Sequence, residues 1–85
     1  MNRTARMSAV IDQLGGRQAL HRFVEAFGAE ASSAAPKRPG EVLGDYRPHG
    51  GIMIVGYEAG RWWDTDTGEP LFGPTRWATI PPAIE

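Results

Sequence analysis

From residue 8 to residue 27 the apolar positions Val10, Ile11, Leu14, Leu20, Phe23, Val24 and Phe27 recur at intervals of three and four. That is the period of an amphipathic helix with one buried stripe. Ser8 is placed to accept a hydrogen bond from a free backbone N–H at its start, and Gly28 stands where helices commonly end in a left-handed cap. Gly15 and Gly16 interrupt the run, and a glycine inside a helix costs about 1 kcal/mol against alanine, so a kink or two short helices are expected there. Residues 29 to 40, AEASSAAPKRPG, are small, polar and punctuated by Pro36 and Pro39. With no bulky side chain to bury, they read as a flexible linker.

The period then changes. GGIMIVGYE is β-branched and apolar between glycines, which predicts a strand over residues 51 to 57. Ile52 and Ile54 face one way and Met53, Val55 and Tyr57 the other, the pattern of a strand buried on both sides. Glu58-Ala59-Gly60 predicts a short hairpin loop into Arg61-Trp62-Trp63-Asp64, and residues 65 to 70 a second turn. Residues 71 to 80 supply a third extended segment, broken at Gly73-Pro74. The expected fold is α+β: an N-terminal helix, kinked or split at Gly15-Gly16, packed on a three-stranded antiparallel meander. One domain is expected, with residues 1–28 helical, 29–40 the linker, and 41–85 the meander and a proline-rich tail.

Eighty-five residues leave room for one core, and the chain has no cysteine. Disulfides are excluded, and His21 and His49 cannot by themselves complete a closed zinc site. The N-terminal residues lack the apolar centre of a signal peptide, and the longest apolar run, Ile52 to Val55, is far short of a membrane span. A soluble protein of a bacterial cytoplasm is the expectation. The net charge of −1 hides a split: residues 1 to 40 carry three more bases than acids, and residues 41 to 85 four more acids than bases. Such a molecule can steer its acidic end towards a basic surface.

Candidate chemistry is sparse. Asp64-Thr65-Asp66-Thr67-Gly68-Glu69 resembles the start of a calcium loop, but the glycine falls one position early and Thr75 stands where a bidentate glutamate is needed. The same letters make a tight polar turn. Neither glycine pair opens a phosphate-binding loop. Asp45 and His49 are spaced for an oriented acid–base pair, yet no nucleophile accompanies them in sequence, so no catalysis, metal or cofactor is expected. The aromatic group says more. Tyr57, Trp62, Trp63, Phe72 and Trp77 gather in the last third of the chain, and the adjacent tryptophans must point to opposite faces of their strand. One is expected to meet the helix, and the other to be covered by the tail at residues 80 to 84, by a second copy, or by a partner. Tryptophan and arginine dominate binding hot spots, which makes Arg61, Trp62, Trp63, Asp64, Asp66 and Glu69 the candidate partner-binding set.

Two stretches resemble known families. Val55-Gly56-Tyr57, Gly60-Arg61-Trp62-Trp63-Asp64 and Thr75-Arg76-Trp77-Ala78-Thr79-Ile80-Pro81-Pro82 resemble a domain family common in phages and prophages, with Arg76 where that family usually has histidine. The resemblance implies a phage or mobile-element origin and a small sheet, and assigns no chemistry. Residues 10 to 20, with Leu14-Gly15-Gly16, resemble the first helices of Cro-like repressors, although Pro36 ends any helix that would read bases. The expected function is therefore a small phage-encoded binding protein, similar in kind to anti-CRISPR proteins. It would inhibit a host defence complex, either a protein or a protein–nucleic acid assembly, by occluding a basic surface. The alternatives are a DNA-binding regulator using the basic N-terminal half, and a ligand binder using the aromatic patch.

Overall fold

A computed structural model describes residues 3–47 and 50–81. His49, and the part of the tail expectation that falls on residues 82 to 84, lie outside the described residues. The helical stripe forms two helices, α1 (Arg3–Leu14) and α2 (Arg17–Phe27). Gly15 and Gly16 have φ of 101° and 122°, a region that L side chains rarely enter. Gly16 N–H donates to the Ile11 carbonyl at 2.9 Å and Gly15 N–H to that of Asp12 at 3.2 Å, the paired bonds of a Schellman ending. The glycines thus stop α1 and let α2 start at a new angle.

Both helix boundaries predicted from side-chain chemistry need correction. Ser8 is an exposed residue inside α1, because the helix already begins at Arg3. Gly28 follows α2 in extended geometry, with φ −80° and ψ 161°, and is not left-handed. Its requirement is steric: a Cβ there would collide with the Val24 carbonyl, and the Trp77 carbonyl stands 3.0 Å away.

Six strands follow in one antiparallel sheet: β1 (Ala29–Glu30), β2 (Gly40–Asp45), β3 (Ile52–Glu58), β4 (Arg61–Asp64), β5 (Pro70–Leu71) and β6 (Arg76–Ala78). Their order across the sheet is β1-β6-β2-β3-β4-β5. The expected three-stranded meander is not matched in detail: β3, β4 and β5 are consecutive antiparallel neighbours, but three further strands join them in the sheet. The strand β2 escapes sequence reasoning because Gly40 and Gly44 dilute its apolar pattern. Residues 71 to 80 do not form one segment: β5 closes one edge, while β6 inserts between β1 and β2. The segment 29–40 is also corrected. It opens with β1, paired to β6, and buries Pro36.

Each sheet face has its own core. On one face Val10, Leu20 and Val24 of the helices pack against Leu43, Ile54 and Ala78. On the other Val42, Tyr46, Val55, Tyr57 and Trp62 cluster without any helix. Residues 72–75 cross this helix-free face on the way from β5 to β6. Tyr46 Oη donates to the Phe72 carbonyl at 2.9 Å, Gly73 stands against the Trp62 indole, and Pro74 lies over Gly44. Ile80, part of the tail that is one of the expected covers for a second face, packs on the helix-side core.

At one end of the sheet Asp45 is a buried carboxylate. Arg47 donates to it through Nε at 2.9 Å, Nη2 at 2.7 Å and its backbone N–H at 3.0 Å. These bonds hold the Asp45 carboxyl below the usual carboxylate range, against the opposing effect of burial. A depressed carboxylate stabilises the fold at pH above its unfolded value of about 3.9, and that contribution disappears as pH falls through the lower folded value. Urea denaturation is expected to show stability falling below about pH 4, with a shallower fall in Asp45→Asn. An unchanged acid limb in that variant would remove Asp45 from the account.

Candidate functional site

The candidate residues occupy β4 and its two turns. Ala59 and Gly60 make the β3–β4 hairpin turn with φ of 50° and 85°, and Glu58 pairs directly with Arg61. This is the positive-φ two-residue turn that suits strand twist. It leaves Arg61 exposed at the hairpin tip.

The tryptophans divide as alternation requires, but neither joins the helix core as expected. Trp62 is 8% exposed on the helix-free face, with its ring 4.6 Å from that of Tyr57. It is a core residue, and a partner cannot reach it without repacking. Trp63 is half-buried on the helix side, beyond the helices, and lies across Gly56 of the neighbouring strand. A Cβ at Gly56 would overlap its indole. Trp63, Arg61, Glu58 and Ala59 line a shallow cleft of about 410 Å³. This cleft brings together Trp63 and Arg61 of the predicted set and leaves out Trp62.

The turn after β4 is ordered by its own polar groups. Asp64 Oδ1 accepts from the Asp66 N–H at 2.8 Å and from the Thr67 N–H at 3.4 Å, while Thr67 Oγ1 accepts from the Glu69 N–H at 3.2 Å. Gly68 N–H donates to the Asp64 carbonyl at 2.7 Å with φ 76°, and Thr65 Oγ1 donates to the Ile54 carbonyl at 3.1 Å. Asp64 is therefore keyed into the turn, and the exposed acids are Asp66 and Glu69. Among the described residues no group of histidine or acidic side chains is gathered as metal ligands.

The charge split is partly neutralised by folding. Arg6 of α1 grips Glu41 of β2 with two bonds of 2.6 and 2.8 Å. Those bonds raise the Arg6 guanidinium pKa and lower that of Glu41, and the Asp66 carboxylate adds a smaller pull on Arg6. Arg47 joins Asp45 of its own half and, at 3.6 Å, Glu25 of α2, pairs that leave the split unchanged. Arg76 donates to the Gly28 carbonyl at 2.6 Å and so caps the C-terminal end of α2.

Reasoning from sequence misses a second concave surface. Residues 34–42 and Trp77 enclose a groove of about 450 Å³ on the helix-free side. Its one sequence signal is the Pro-Lys-Arg-Pro run, which composition assigns to a linker. In comparisons with protein-family models, with characterised proteins and with solved structures, nothing matches this chain.

Proposed function

We propose that this chain is a small binding protein of phage or mobile-element origin that inhibits a host defence complex by occluding a basic surface with the β4–β5 end of its sheet. The observation that carries the reading is the pre-ordered acidic turn beside an accessible aromatic residue. Asp66 and Glu69 are exposed on a turn whose backbone is already bonded, so little loop entropy remains to be lost on docking. Trp63 precedes the turn along β4 and shares a cleft with Arg61 at the far end of that strand, and these two supply the anchor pair. The resemblance of residues 54 to 82 to a phage domain family supports the setting. In that setting the target is the kind of surface that holds nucleic acid, which is basic by necessity.

The test is Asp66→Lys combined with Glu69→Lys. Both side chains are exposed, so circular dichroism is expected to show an unchanged fold. Capture of a defence complex from a bacterial lysate is expected to fall by about tenfold or more at low salt, with a smaller difference at high salt. Equal capture by the parent and the reversed variant at low salt would reject the acidic-edge mechanism.

A further inference from the structure

The groove beside Trp77 has a floor and a rim of different character. Its floor is apolar: Val42 is buried on the helix-free face and Trp77 is half-buried beside it. The wall formed by residues 34–39 is anchored at two residues. Trp77 Nε1 donates to the Ala34 carbonyl, Ala34 N–H to the Glu30 carbonyl at 2.9 Å, and Pro36 is buried. The wall is therefore anchored at Ala34 and Pro36. Its volume, about 450 Å³, lies within the range of ligand clefts.

The rim carries Lys37 and Arg38, both exposed and neither in an ion pair among the described residues. One carboxylate belongs to the lining residues, that of Glu41, and both its oxygens are engaged by Arg6. Alternation along β2 turns Glu41 to the helix side, opposite Val42. The rim is thus locally positive in a chain whose net charge is −1. A flanking proline on each side restricts the backbone of the two cations, so fewer conformations are lost when they bind.

We infer that this groove binds an extended acidic segment of a partner protein. An apolar side chain of the segment would rest on Trp77 and Val42, and its carboxylates would meet Lys37 and Arg38. Single-stranded nucleic acid fits the same groove less well. A strand needs a basic track along several phosphates together with open aromatic faces for stacking. Here the two cations are adjacent at one rim, and Trp77, itself half-buried, is the one aromatic residue of the lining. The groove lies on the β2–β6 side of the sheet, with β3 between it and β4, so it is separate from the acidic turn.

The experiment uses the full chain and a short fluorescein-labelled peptide of glutamates and aspartates around a single leucine, followed by fluorescence anisotropy. The comparison probes are the same peptide with glutamine and asparagine in place of the acids, and oligothymidylate. The acidic peptide is expected to bind, to weaken with added salt, and to weaken by about tenfold or more in Lys37→Glu with Arg38→Glu. Both positions are exposed, so circular dichroism should match the parent. Asp66→Lys with Glu69→Lys is expected to bind the peptide at least as well as the parent, which separates this groove from the acidic turn. The inference is overturned if the acidic peptide does not bind, if its uncharged counterpart binds equally, or if the Lys37/Arg38 reversal leaves binding unchanged. Tighter binding of oligothymidylate than of the acidic peptide would also overturn it, and would make the groove a nucleic-acid contact.

Discussion

Replacing Trp62 with alanine is expected to cost about 3–5 kcal/mol, the usual range for truncating a buried large aromatic residue. The side chain is 8% exposed and packs against Tyr57, with Leu71 of β5 as its direct strand partner and Gly73 closing over the indole. No helix covers this face, so the aromatic cluster and the 72–75 crossing provide its burial. Domains of this size hold only about 5–15 kcal/mol in total, and the variant should be largely unfolded at modest urea concentrations. Trp63→Ala should cost less, about 1–2 kcal/mol, because Trp63 is half-buried and outside both cores. Chemical denaturation of the two variants decides the matter. A loss below about 1 kcal/mol for Trp62→Ala would mean that the helix-free face is no second core.

The second large effect concerns Gly56. The β3–β4 register sets it opposite Trp63, whose indole occupies the space a Cβ would need. Gly56→Ala must displace a rigid ring or shift a central strand, and overpacking of this kind costs about 1–3 kcal/mol or more. Without the tryptophan the sign should change. Alanine orders a strand more cheaply than glycine, so in a Trp63→Ala background Gly56→Ala is expected to be neutral or stabilising by up to about 1 kcal/mol. The double-mutant cycle measures this directly. Equal costs in the two backgrounds would show that the indole does not impose the glycine.

Of the candidate site, the hairpin and the acidic turn are legible in the amino-acid sequence, because each depends on neighbours along the chain. Glu58-Ala59-Gly60 and Asp64 to Gly68 carry turn chemistry in residues that act on their own backbone. Which tryptophan is buried is not legible there. Alternation separates Trp62 from Trp63 but does not say what lies above each face, and the cover of Trp62 comes from a segment that crosses the sheet. Composition groups Asp64 with Asp66 and Glu69 as surface charge, although its Oδ1 holds the turn together.

The amino-acid sequence alone determined the elements whose causes are local. Period-three-and-four apolar spacing makes the helices, the positive-φ demand at Gly15 and Gly16 divides them, and β-branched alternation makes β3. Tertiary structure alone decided the partners. The strands β1 and β6 are two and three residues long, too short to carry a period, and exist because neighbouring strands offer unpaired N–H and C=O groups. The placement of β6 between β1 and β2 sends residues 72–75 across the helix-free face and folds Pro36 and Trp77 into a groove. It also brings Arg76 to the end of α2. These contacts join residues far apart in the chain, and their stability comes from burial that no local window of sequence contains.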